Sequence, residues 1–117
     1  MHIWTKSEDD PMNNVAPLAR NITDMASAYN SHSSITLNGV KYDFTSCTGK
    51  MYAIIAGHIH QDFNGVDNGI NVITTRTASH IGEGGFPSFD MFAIDYTNNV
   101  ANAVRFGVGS DRTIALV

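Results

Sequence analysis

Gly57-His58-Ile59-His60 follows directly on the apolar run Met51-Tyr52-Ala53-Ile54-Ile55-Ala56. Two histidines one residue apart, at the end of a short buried strand, fill a core poorly and hold metal ions well. In extended backbone, residues i and i+2 project from the same face, about 6.5–7 Å apart at a rise of ~3.3 Å per residue. Imidazoles at that spacing can share one ion, or serve one each of two ions about 3.5–4 Å apart, the separation found in two-metal centres. Gly57 omits a side chain where backbone must approach such a site closely. Asp62 follows the pair and either hydrogen-bonds a ligand imidazole from behind or is a loop carboxylate of an Asx turn; Gln61 has the same two readings.

The elements that must position these residues are legible from periodicity. Val15, Leu18, Ala19, Ile22, Met25, Ala26 and Tyr29 repeat at i, i+3, i+4 and i+7, so residues 13–29 are predicted to form the one amphipathic helix, its stripe facing the core. Asn13 or Asn14 can cap it, with Pro17 in the first turn. The rest reads as β. Ile35-Thr36-Leu37 and Val40 to Phe44 flank Asn38-Gly39, a type I′ hairpin signal. Lys50 to Ala56 delivers the His-x-His pair, and Asp67-Asn68-Gly69 turns into Ile70 to Thr75. Residues 80–88 are glycine-rich and read as a loop. Phe89 to Tyr96 and Val100 to Phe106 form a second hairpin about Thr97-Asn98-Asn99, and Thr113 to Val117 is a closing strand. The expected fold is α+β: one helix and about six or seven mostly antiparallel strands in a single domain over residues 1–117.

Composition narrows the function classes. Of 117 residues 43% are hydrophobic and 15% charged, which fits a globular chain rather than a disordered one. A net charge of −4 with seven scattered basic residues leaves no basic patch for nucleic acid. No apolar run is long enough to cross a membrane as a helix, and the first ten residues lack a secretory signal pattern. One cysteine, Cys47, provides neither a disulfide framework nor a cysteine-rich zinc site. A cytoplasmic setting is expected.

Ile54-Ile55-Ala56-Gly57-His58-Ile59-His60-Gln61-Asp62 resembles the Gly-His-x-His block that closes the metal site of calcineurin-like metallophosphoesterases, especially phage and Firmicutes-type members. Asn68 to Thr75 resembles the next strand of that family. Phe89 to Arg112, with Asp-Tyr-Thr-Asn-Asn and Gly-Ser-Asp-Arg, resembles its last hairpin; the likeness spans roughly residues 50–115. The family assembles a dimetal centre from Asp-x-His, a bridging Asp, Asn-His, a lone strand-end histidine and Gly-His-x-His. Met1-His2-Ile3-Trp4 looks like the fourth block cut just before its histidine, and the first three blocks have no counterpart. The resemblance therefore implies the C-terminal half of a metallophosphoesterase β-sandwich. His2 and His58 would hold one divalent metal (Mn, Fe or Zn) and His60 the other, with Gly57 and Asp62 supporting them and a phosphoester as substrate of the full-length form. The 117 residues alone would be nearly inactive. A half-domain would bare the surface meant for its front half, so a homodimer with exchanged or edge-paired strands is expected.

Two other classes fit the same residues: a non-catalytic, phage-derived interaction module with a vestigial metal motif, and a hydrolase with a single zinc held by His2, His58 and His60, with water in the fourth position. Arg76, Arg112 and Lys50 are read as phosphate contacts or as ordinary solvated or ion-paired cations. His32 and His80 read as solvent-exposed loop residues, with His80 also a candidate to line the cleft. Trp4 and Cys47 read as packing.

Overall fold

The structure is a computed structural model that describes residues 16–57, 60–76 and 87–117, the side chains of 16–20 excepted. Helix α1 spans Ala16–Asn30. It turns Ile22 and Ala26 onto Ile54 and Ile70, forming one of two hydrophobic clusters. Its end is a Schellman motif: Ser33 N donates to Ala28 O (3.0 Å) and His32 N to Tyr29 O (3.1 Å). His32 fills the left-handed position usually given to glycine, at φ 49°. The amide of Asn30 then clamps Met51, accepting from its N–H (2.7 Å) and donating to its carbonyl (2.8 Å). That clamp fixes where the chain enters the strand that leads to Gly57.

Eight strands follow among the described residues, in three sheets: β1 (Ser34–Leu37) with β2 (Val40–Asp43); β3 (Ala53–Ala56), β5 (Ile70–Thr74) and β4 (Phe63–Asp67) in the order β3-β5-β4; and β6 (Phe89–Asp95), β7 (Val100–Phe106) and β8 (Arg112–Ala115) in sequence order. All pairings are antiparallel except β3 with β5. The chain is thus α+β, with one helix and mostly antiparallel strands. Two hairpins turn on Asn-Gly with both residues at positive φ, Asn38-Gly39 (51°, 78°) and Asn68-Gly69 (50°, 76°), the type I′ geometry whose twist matches the strands. The loop after β6 is held by Asp95, whose carboxylate accepts from Thr97 N, Asn98 N and Asn98 Nδ2.

Strand β4 departs from the pattern expected from sequence. Phe63-Asn64-Gly65-Val66-Asp67 carries an interior glycine and two polar residues, and it is a strand because it pairs along its whole length with β5. Its presence makes β5 the centre of its sheet, with every residue buried. Ile70 and Val72 face one side of β5 and Ile73 the other, where it meets Ala101 and Ile114 of the third sheet and Leu116 just past β8, with Phe92 and Ile94 packed alongside. The radius of gyration, 15.4 Å, exceeds the ~13 Å of a compact domain near this size.

Ile73→Ala is expected to cost about 2–5 kcal/mol, by lost burial plus the cavity left. His32→Gly is expected to gain about 0.5–1 kcal/mol by relieving the left-handed residue. Urea unfolding of both variants reads these shifts, and equal effects of the two would contradict the structure.

Candidate functional site

β3 and β5 run parallel and finish side by side, Ala56 opposite Thr74. The loop after β3 and the segment after β5 therefore emerge at the same end. Three polar contacts stitch them together beyond the ladder. Thr75 N donates to Ala56 O (3.3 Å), the Thr74 hydroxyl to Gln61 O (2.7 Å), and Arg76 N to Asp62 Oδ1 (3.2 Å). Within this loop Gly57 is half-buried, and His60 is exposed with its backbone at φ 56°. A non-glycine residue in that conformation costs roughly 1–2 kcal/mol, so the loop shape is set by these anchors rather than by local preference.

Behind the loop, the inner face of β6-β7-β8 changes from apolar to ionic. Asp90, Arg105 and Arg112 occupy the same inward parity as Phe92, Ala103 and Ile114. The Asp90 side chain is fully buried and the Arg105 side chain is 2% exposed. Arg105 Nε donates to Asp90 Oδ1 (2.6 Å), Nη1 to Val108 O (2.6 Å), and Nη2 to both Asp90 Oδ2 (3.1 Å) and Asp62 Oδ1. Arg112 Nη2 donates to Asp90 Oδ2 (2.7 Å) and Nη1 to Thr74 O (3.1 Å), while its Nε is buried with no partner. Arg76 Nε reaches Asp62 Oδ2 at 3.3 Å. The loop after β7 closes on this group. Gly109, at φ +113°, lies so near that a Cβ there would sit 2.5 Å from Arg105 Nη1.

Asp62 therefore bridges the strand-end loop to the third sheet. Burial raises its pKa, but the hydrogen bond from Arg105 and the charges of Arg112 and Arg105 outweigh that and hold it below the usual carboxylate range. Arg105 is held well above its ordinary value, first by its hydrogen bond to Asp90, against burial, and then by Asp62.

His60, Gly57 and Asp62 are thus placed in one loop. His2 and His58 lie outside the described residues, as do Trp4 and His80. His32 is exposed at the end of α1, and Cys47 is a free, half-buried thiol in a turn. The described partners of Asp62 are guanidiniums and the Arg76 amide, rather than an imidazole. Arg76 and Arg112 are ion-paired, and Lys50 Nζ lies 4.8 Å from the centre of the Tyr52 ring. Asp111 accepts from the Arg105 backbone N–H (2.8 Å). Arg105 and Asp90 carry the cluster and were not singled out from sequence. Their signal is charge at core-facing parity on paired strands, Asp90 directly opposite Arg105.

Imidazole suits a borderline divalent ion, and His60 offers one. The Asp62 carboxylate does not suit it, being held by guanidiniums. Among the described residues no group of three or more His, Cys, Asp or Glu is gathered, and no metal-dependent step is routed through Asp62. A separate cleft of about 370 Å³ between α1 and the β1-β2 hairpin, lined by Ile22, Met25, Leu37 and Tyr42 among others, is mostly apolar and has the Tyr42 phenol as its one ionisable group. No helix among the described residues is long and apolar enough to cross a membrane. No protein family, curated protein or solved structure matches the chain.

Removing the Asp90 charge takes the buried counter-ion from Arg112 and leaves Arg105 with Asp62 alone, so Asp90→Asn is expected to destabilise by about 3 kcal/mol. The contribution of Asp62 has the sign of a depressed carboxylate: present above the unfolded pKa of about 3.9 and lost as pH falls through the lower folded value. Urea midpoints measured from pH 5 downward should fall less steeply for Asp62→Asn than for the parent. Parallel curves would remove Asp62 from the clasp.

Proposed function

We propose that the chain is the rear part of a metal-dependent phosphoester hydrolase domain, with His58 and His60 as metal ligands in the loop after β3. One observation carries this reading. A strand with Ile54 and Ala56 buried ends at Gly57, and the loop beyond it holds His60 exposed in a fixed left-handed conformation. Strand-end loops of this kind, rigidly backed and open to solvent, are where functional side chains concentrate. The three anchors from Thr74, Thr75 and Arg76 lower the entropy lost when an imidazole is ordered around a ligand.

The roles of the chain's own residues follow. Gly57 leaves room at the strand end, and His60 offers an imidazole nitrogen. Asp62 stays ionised and braces the loop against Arg105 and Arg76. Among the described residues the ion cluster joins Arg76, Arg105 and Arg112 to Asp62 and Asp90, which backs the loop with directional bonds. Divalent ions, when bound there by His58 and His60, would supply charge neutralisation and an acidified water. The ligand assignment of His2, the choice among Mn, Fe and Zn, and a cytoplasmic setting belong to the same proposal.

The test is zinc and manganese uptake, by elemental analysis after dialysis, on the parent chain and on His58→Ala/His60→Ala. Bis(p-nitrophenyl) phosphate hydrolysis is measured alongside. Metal retained by the parent and at least tenfold less by the variant, with little turnover by the isolated chain, is the expected result. Equal retention by both would overturn the ligand assignment.

A further inference from the structure

The outer face of β6-β7-β8 is a graded apolar relief. Phe89 and Phe106 pair across the strands, with exposures of 52% and 45%, and their rings stack at 4.9 Å and 9°. The next row is Met91 opposite Val104, 60% and 44% exposed. The row after it is shallow, with Ala93, Asn102 and Thr113 side by side. None of these side chains is charged, although the chain carries a net charge of −4.

We propose that this face is the contact surface of a homodimer, with the two-fold axis at the Met91–Val104 row. Turning a second copy about that axis lays its Phe89–Phe106 ridge on the shallow Ala93–Asn102 row of the first, and Met91 against Met91. The relief is its own complement, which is what an isologous contact requires. Absence of charge points the same way. An oppositely charged partner finds nothing to recognise here, whereas a second acidic copy meets no repulsion across the contact. The paired rings form a preformed ridge, so little side-chain freedom is lost on docking. Four exposed large side chains and one shallow row make a face smaller than the ~800 Å² per partner of a standard interface. The dimer is therefore expected to be a reversible one rather than a permanent assembly. The inference is independent of the hydrolase reading.

Sedimentation velocity on the full chain from about 1 to 200 μM tests it. The expected result is a monomer–dimer equilibrium that Phe106→Lys weakens at least hundredfold, while Val40→Lys, on exposed β2, leaves it unchanged; circular dichroism checks the fold of each. In a Cys47→Ser background, Met91→Cys should cross-link to itself with a short thiol reagent. Phe89→Cys should cross-link efficiently only when mixed with Ala93→Cys. A parent chain monomeric throughout, a dimer untouched by Phe106→Lys, or Phe89→Cys linking to itself as well as to Ala93→Cys would each overturn the assignment, whether the face is then left to solvent or to a different protein.

Discussion

The buried ion pair between Asp90 and Arg105 is the constraint on which the rest of the molecule depends. Taking a carboxylate out of water costs several kcal/mol unless it is paired and hydrogen-bonded, and the Asp90 side chain is fully buried. The fork of Arg105 meets that demand from one side and Arg112 from the other. Arg105 has further donors and spends them on Val108 and Asp62. Satisfying one carboxylate thus commits the β7-β8 loop and the loop after β3 to fixed positions. Apolar packing at Ile73 joins the two sheets without specifying how their ends align; the directional bonds of the guanidiniums do.

That division explains what the sequence discloses. Alternation in Phe89–Asp95 and Val100–Phe106 depends on pleat alone, so strands, pairing and inward parity are readable from residue type. The Asn-Gly turns are equally local. β4 is hidden because an interior glycine and polar neighbours give it little propensity of its own; its strand character comes from β5. The conformation at His60 is hidden for a similar reason, since the bonds that impose it come from Thr74 and Arg76, more than ten residues away. Asp90 and Arg105 lie between these cases. Their parity is visible, yet a charge at a core position is read as surface until its partner is placed opposite.

The same geometry sets how a strand-end loop can be both rigid and exposed. A loop buried by apolar contacts would cover His60, while a loop left free would fray on fast timescales. Bonding through Gln61 and Asp62, the residues after His60, avoids both outcomes. Polar anchors of this kind tie the loop's order to ionisation as well as to packing. The Asp62 carboxylate is held ionised by the cations it braces, so one group links the alignment of the two sheets to the shape of the loop. A charge change at Asp62 would disturb the candidate site before it disturbed the core around Ile73, because that core is held by apolar packing rather than by the clasp.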